Sequence, residues 1–384
     1  MNKIFRTLCV VGAGCALILL PAAGVLAKGI SLTPYLEFPP RTFFLQMPAF
    51  SWPMFILCLA LILALVCPFL LKALRTHART VAPLNNPSNR RPFPIWGWIA
   101  LIHLVGWWVI AWTRFPWATS VQPHTYFPLW ISYIVIVNAW TYKLTGSCFL
   151  TRHTLKLLIL FPVSAAFWWF FEYLNRFVQN WNYIGTENYT PLAYFGLATL
   201  SFSTVLPAVA STRSLIEALW PGHTCFKNWI NIRPQIQKGG AALMVLISVL
   251  GLYFLSWFPF SLFSMLWIAP VALFAGVGLL TGARIPLAED VRRGDWTVIV
   301  TSALAALVCG FFWEMWNQWS LAKWVYTVPY VQRFHIFEMP LLGFAGYLPF
   351  GVECTLVSDF FMKRNSSTDP RFASREDEGE RTVE

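Results

Sequence analysis

Ten long apolar stretches dominate the chain, at about 7–27, 53–72, 94–113, 127–143, 157–177, 191–211, 241–257, 263–282, 296–316 and 338–358, with short polar pieces between them. Crossing the hydrocarbon core of a bilayer takes about 20 helical residues, and each stretch is near that length. Lipid offers nothing to an open backbone, so each stretch must satisfy its own hydrogen bonds as a helix. Short alternating strands of the closed-barrel kind do not occur. The pattern predicts an all-α, polytopic transmembrane helix bundle of about ten spans.

Composition agrees with this. Of the 384 residues 57% are hydrophobic and only 12% charged, at a mean hydropathy of +0.57. That is about half the charge with which a soluble chain covers its surface. The net charge of +11 invites a nucleic-acid partner, but the Lys and Arg residues lie between apolar stretches rather than on a basic face interleaved with aromatics, which excludes that class. Their placement sets topology instead. With the N-terminus in the cytoplasm, only Lys28, Arg41, Arg114, Arg176, Lys323 and Arg333 fall outside, and the other 22 of 28 fall inside. The expectation is a multi-pass protein of the cell (inner) membrane with both termini cytoplasmic.

The expected organisation follows. Residues 1–27 form a first transmembrane helix or a signal peptide, since Lys3 and Arg6 precede an apolar run ending at Ala27. Residues 28–93 comprise a periplasmic segment, one span and a cytoplasmic linker with Asn89-Arg90-Arg91-Pro92. Residues 94–211 and 241–358 form two membrane repeats, joined by a cytoplasmic linker at 212–240. Residues 359–384 are polar, mixed in charge and read as a disordered cytoplasmic tail.

The repeats rest on ordered matches. Trp168-Trp169-Phe170-Phe171-Glu172-Tyr173-Leu174-Asn175 resembles Gly310-Phe311-Phe312-Trp313-Glu314-Met315-Trp316-Asn317, and Trp181-Asn182-Tyr183 matches Trp324-Val325-Tyr326. Upstream, Phe115-Pro116 and Leu144-Thr145-Gly146 match Phe258-Pro259 and Leu280-Thr281-Gly282. Downstream, Pro191-Leu192 matches Pro340-Leu341. Each unit holds four spans, so both copies insert the same way, related by an axis along the membrane normal.

The candidate chemistry lies where the copies agree. A carboxylate within a span costs at least ~2.5 kcal/mol on insertion scales and marks either function or a packing network. Glu172 and Asn175, three apart, share one helix face, as do Glu314 and Asn317. The second copy adds His335 and Glu338 at the expected outer entry to its last span, and Glu353 deeper in it, with no acidic counterparts in the first. Candidate catalytic residues are therefore Glu338, Glu314, Glu172, His335 and Glu353. Asn175, Asn317, Trp181, Tyr183, Trp324 and Tyr326 are the candidates for substrate binding. The loop aromatics also fit an interfacial belt, and the Glu/Asn pairs also fit helix-packing hydrogen bonds.

Other chemistries lack their residues. The eight Cys form no CxxC and read as buried thiols. His103 is the one good intramembrane histidine, too few for a haem b site. HExxH, GxSxG and a Walker lysine loop are missing. No metal is implied, and the cofactor is undefined. In its repeated helices with intramembrane carboxylates the chain resembles the membrane carotenoid cyclases, but their paired-Glu motif after proline is missing, and Phe337-Glu338-Met339-Pro340 does not replace it. Nothing is carried over from that family. The leading expectation is an intramembrane enzyme or binder acting on a lipid or isoprenoid from the outer leaflet, with the bilayer and such a ligand as partners. The alternatives are a secondary transporter with its site between the repeats and a non-catalytic assembly subunit.

The charge distribution makes a direct prediction. Cysteines introduced singly at 178–190 or 317–337 should react with an impermeant thiol reagent added outside intact cells, and those at 212–240 should not. Outside labelling near Lys227 would invert the topology.

Overall fold

The computed structural model of the chain describes residues 3–77, 91–231, 234–282 and 285–362. The first part of the Asn89–Pro92 linker and the tail from 363 lie outside the described residues. The helices are α1 (Lys3–Ala27), α2 (Trp52–His77), α3 (Ile95–Trp112), α4 (Tyr126–Thr145), the single turn α5 (Phe149–Arg152), α6 (Thr154–Val178), α7 (Pro191–Phe202), α8 (Val205–Leu219), α9 (Pro234–Tyr253), the single turn α10 (Pro259–Leu262), α11 (Met265–Thr281), α12 (Pro286–Arg292), α13 (Thr297–Asn317) and α14 (Tyr347–Phe361). The strands are β1 (Trp181–Ile184), β2 (Lys323–Tyr326), β3 (His335–Ile336) and β4 (Met339–Pro340).

All ten apolar stretches are helical over most of their length. Among the described residues, seven helical stretches are long and apolar enough to cross a membrane: Ile4–Ala27, Trp52–Thr76, Ile95–Trp112, Thr154–Asn175, Pro191–Leu219, Thr297–Asn317 and Leu341–Phe361. The pair α11 and α12, bent by 75°, would make an eighth. The chain is thus an α-helical, multi-pass membrane protein. Helix α4 has 20 residues, but its Ser132, Asn138 and Thr141 are buried in the bundle and lower its apolarity. The apolar part of α9 is short, Lys238–Tyr253.

Two stretches depart from simple spans. The 191–211 stretch breaks at Ser203-Thr204 between α7 and α8. Ser164 on α6 repairs the break by donating to the Phe202 carbonyl (2.6 Å) and accepting from the Leu206 N–H (3.0 Å). Freed backbone groups inside a membrane need such partners. The 338–358 stretch does not begin as a helix. Residues 335–340 form a hairpin of β3 and β4, with Phe337 in the left-handed region (φ 57°) and Glu338 beside it in the turn. The helical part starts at Leu341. Glu338 is therefore a turn residue and not a helix N-terminal acid, and Glu353 does not share a helix with it.

The helix ends sort into two faces. At one face the segments after α1, α3, α6, α9 and α13 touch one another: Arg114 Nη2 donates to the Trp319 carbonyl (2.8 Å), Arg41 Nη2 to the Tyr189 carbonyl (2.8 Å), and Lys28 Nζ to the Ser256 carbonyl (3.1 Å). At the other face Arg91 N–H donates to the Lys143 carbonyl (2.9 Å), and Trp296 Nε1 to the Ile230 carbonyl (2.9 Å). Helix α1 packs against α9 and α11, and Trp257 Nε1 donates to its Gly24 carbonyl (2.9 Å).

The ribbon of β1 and β2 joins the two halves. Trp181 pairs with Tyr326, Asn182 with Val325, Tyr183 with Trp324 and Ile184 with Lys323, antiparallel. In the sequence alignment Trp181 corresponds to Trp324 and Tyr183 to Tyr326. Each Trp thus pairs with the Tyr of the other strand, a self-complementary register centred on Asn182 and Val325. Gly185, at φ 76°, closes the ribbon beside the Leu321 carbonyl, where a Cβ has no room.

Helix packing yields a stability test. Gly310 on α13 lies under the ring of Tyr347, and a Cβ there would overlap it, whereas Gly106 on α3 faces open space. Gly310→Ala should lower stability by about 1–3 kcal/mol through overpacking. Gly106→Ala should leave it level or raise it by up to ~1 kcal/mol. Thermal unfolding of the purified protein in detergent reads both, and an equal response at the two positions would mean that Tyr347 does not lie over α13.

Candidate functional site

Helices α6 and α13 both end at the ribbon, and their last turns carry the Glu/Asn pairs. Asn317 Nδ2 donates to the Trp324 carbonyl (2.7 Å), and its Oδ1 accepts the Trp324 N–H (2.9 Å). Asn175 Nδ2 donates to the Trp181 carbonyl (2.7 Å), and its Oδ1 accepts the N–H groups of Asn180 (2.8 Å) and Trp181 (3.4 Å). Each carboxamide pins a strand to the helix before it. The strand's Trp and Tyr then fall beside the Glu one turn back.

Glu172 Oε1 accepts three hydrogen bonds, from Trp168 Nε1 (2.9 Å), Trp181 Nε1 (3.0 Å) and the Tyr183 hydroxyl (2.7 Å). Glu314, 0% exposed, accepts on Oε1 from the hydroxyls of Tyr326 (2.7 Å) and Tyr347 (2.6 Å). Trp324 Nε1 donates to the Tyr326 hydroxyl (2.9 Å). The clusters differ in two respects: Trp181 donates to Glu172 itself whereas Trp324 donates to the Tyr326 hydroxyl, and the remaining donor has a different source. Where the first half has Trp168, the second has Gly310, and the space is filled by Tyr347 from α14. By the Pro191–Pro340 alignment, the position of Tyr347 is Ala198 in the first half. At Glu314 the helix-borne donor position is thus filled from α14 rather than from α13 itself. Burial, and secondarily the adjacent carboxylate, pushes the phenols of Tyr183 and Tyr326 well above their ordinary range, so both stay protonated and donate.

The donors to each carboxylate all come from its own half of the chain, so the two clusters are separate and parallel. The other candidates are not brought to them. His335 is exposed in β3, with Nε2 3.2 Å from Gln332 Nε2. Glu338 pairs with Lys323 of β2. Glu353 is 2% exposed on α14, and neither of its carboxylate oxygens has a hydrogen-bond partner. Asp359, at the other end of α14, is buried beside Arg213 of α8 (Nη2 to Oδ1 3.6 Å). His103 accepts from Trp107 Nε1 (2.8 Å) and lies 2.7 Å from the Ser132 hydroxyl. Among the described residues no group of three or more His, Cys, Asp or Glu is placed to hold a metal ion.

Both clusters border one large cavity. A cleft of about 1110 Å³ separates α2 from the ribbon, α7, α11, α13 and α14. Trp168, Trp181, Tyr183, Trp324, Tyr326 and Tyr347 line its ribbon end, and the carboxylates stand behind these rings. The rest of its wall is almost wholly apolar, with α2 contributing from Met54 to Ala73. Helix α2 is the least buried of the long apolar helices. It meets the body near its ends, through Phe55 beside Val328, Val331 and Leu342 and through Phe69 against Phe226, Trp229 and Trp296. The sequence signalled the Trp and Tyr of both strands by their repetition. For Tyr347 the one signal is Gly310, which stands before the second aromatic run where the first has Trp168, and the cleft left no signal, because α2 reads as an ordinary span.

Asn317 makes both its bonds to Trp324 of β2, so Asn317→Ala should destabilise the protein by roughly 1–3 kcal/mol, the range for stranding buried polar groups. Asn317→Asp keeps the acceptor and loses the donor, and should fall between. Thermal melts of the two variants check this, and two silent substitutions would mean that helix packing alone holds the ribbon.

No protein-family model, curated protein or solved structure matches the chain.

Proposed function

We propose that this protein binds a long-chain lipid or isoprenoid, drawn sideways from the bilayer into the cleft behind α2, with the ligand's head against the paired aromatic-carboxylate clusters. The cleft carries this reading. Its α2 wall runs from Met54 to Ala73, which at ~1.5 Å per residue spans about 30 Å, the thickness of the hydrocarbon core. Its volume exceeds the ~300–1,000 Å³ of ordinary small-molecule sites. An apolar wall of that depth suits a chain, and a single polar end suits one head.

In this reading the body is two parallel copies of a four-helix unit, residues 94–211 and 241–358, in a cell (inner) membrane. The distribution of Lys and Arg supports a ribbon face outside and both termini inside. The self-complementary register of β1 and β2 supports the duplication. Trp181, Tyr183, Trp324 and Tyr326 meet the head group. Asn175 and Asn317 act on it through the strands they pin. Glu172 and Glu314 are the acid–base groups, one hydrogen bond behind Tyr183 and Tyr326, and proton exchange with a bound head runs through those phenols. Glu338 and His335 belong to the rim beside Lys323, and Glu353 lies apart from the cleft wall. A transport path between the copies has less support, because the ribbon and the stack of Phe171 on Trp267 (5.1 Å), with Phe350 edge-on (5.6 Å), fill that interface.

The test is retention of lipid. The purified protein should carry one lipid class enriched over the bulk membrane extract, read by mass spectrometry. Ala303, on the α13 wall of the cleft, can be enlarged to fill it. Ala303→Trp should cut that retention roughly tenfold, the effect of losing ~1.4 kcal/mol of binding, with the melting midpoint little changed. Lipid in bulk proportions, or full retention by Ala303→Trp, would end this reading.

A further inference from the structure

Among the described residues, three on the cleft wall carry a buried polar atom that makes no hydrogen bond: Oδ1 of Asn180, the hydroxyl of Tyr189 and Nε1 of Trp313. Trp313 is on α13, and the other two belong to the segment from the end of α6 to the start of α7, at the ribbon end of the cleft. Asn180 is 4% exposed. Its backbone is fully engaged, the N–H donating to Asn175 Oδ1 (2.8 Å) and the carbonyl accepting the Thr327 N–H (2.8 Å). The ribbon therefore holds Asn180 in place and leaves its carboxamide oxygen without a donor. Tyr189 is held similarly, its N–H donating to the Thr186 carbonyl (3.1 Å) and its carbonyl accepting from Arg41, while its hydroxyl is idle. Buried polar atoms without partners are rare, because they forfeit their water for nothing. Two on one segment of one cavity's wall call for a partner that enters the cavity.

Charge on the wall narrows what that partner is. Among the described lining residues Lys323 bears the one formal charge. Its Nζ is already paired with Glu338 and donates to the Gln318 carbonyl (3.2 Å). In the alignment of the two halves Lys323 stands where the first half has Asn180, so one corner of the ribbon carries a matched ion pair and the other a free carboxamide. A phosphate in the cleft would meet no unmatched cation. A hydroxyl would meet an acceptor at Asn180 and a hydroxyl at Tyr189, each lacking only its partner.

We infer that Asn180 and Tyr189 form the head-group subsite of the cleft, and that the ligand is a long-chain lipid with an uncharged, hydroxyl-bearing head. Asn180 Oδ1 accepts from the ligand's hydroxyl, and the Tyr189 hydroxyl donates to an oxygen of the same head. This inference rests on the lipid-binding reading and adds the class of head group to it.

The experiment uses the full chain in lipid nanodiscs doped with matched pairs, diacylglycerol against phosphatidic acid of the same acyl chains, and a polyprenol against its monophosphate. Bound lipid is read by native mass spectrometry. For whichever chain type is held, the uncharged member should exceed its phosphate by roughly tenfold, as a satisfied against an unsatisfied buried polar pair implies. Asn180→Leu should remove that preference while leaving the melting midpoint level or raised, since the substitution deletes an unpartnered amide. Tyr189→Phe, which removes one oxygen, should weaken retention severalfold and carries the test if Asn180→Leu does not fold. Preference for the phosphate, or wild-type binding by the folded variants, overturns the head-group assignment and leaves the lipid cleft standing. No retention of either pair, together with co-purified lipid that Ala303→Trp does not displace, overturns both.

Discussion

A carboxylate in the apolar interior of a membrane bundle has to be surrounded by donors, and this requirement organises the ribbon face of the protein. Glu172 and Glu314 receive theirs from indole and phenol groups. Aromatic donors suit the task because each presents one N–H or O–H on a large apolar body, solvated by the same surroundings that exclude water. Two of the five donors, Trp168 and Tyr347, are on helices, but Trp181, Tyr183 and Tyr326 come from the ribbon, which must therefore lie beside the helix ends. The ribbon is only four residues wide on each side, too short to be stable alone. Asn175 and Asn317 fasten it, and its pairing across the two halves completes its backbone hydrogen bonds. Remove the buried charges, and the reason for both carboxamides and both strands goes with them.

Much of this could be read in the sequence. The three-residue spacing of Glu and Asn, repeated, placed both on one helix face, and the repeated Trp-x-Tyr marked the strands as equivalent. Spacing could not say what the Asn side chains meet, because a carboxamide that binds a ligand and one that binds a backbone occur in the same pattern. The polar cluster at 335–338 was misplaced for a local reason. A Glu shortly before a proline and an apolar run has the signature of a helix start, and only Phe337 at positive φ shows a hairpin there. The cleft was invisible for a deeper one. Residues that line an apolar cavity and residues that face lipid are chosen by the same chemistry, so hydropathy cannot separate them.

The two halves solve one problem with different parts. Trp168 reaches Glu172 from its own helix, whereas Glu314 is reached by Tyr347 across a glycine. Swapping the source of a donor keeps Oε1 of Glu314 supplied, although its Oε2 has no partner, and changes which helices are locked together. In the first half the carboxylate binds α6 to its own strand. In the second it also ties α13 to α14, so displacement of α14 would leave a buried oxygen short of a donor. The halves are thus alike in what they bury and unlike in what they couple.

Helix α2 has a different relation to the rest. Its rings meet the body at Trp52 and Phe55 near one end and at Phe69 toward the other; Phe55 and Phe69 are fourteen residues apart, which is close to four turns and brings both to one face. Between Phe55 and Phe69 the helix has no aromatic residue, only Pro68 and small or branched apolar side chains that meet lipid on one side and the cleft on the other. To such a helix both sides are the same solvent, so no burial difference fixes its orientation about its own axis. In the proposed lipid reading the gap between α2 and the body is the way in, and what bounds it is contact between rings and branched side chains rather than the hydrogen bonds of the ribbon.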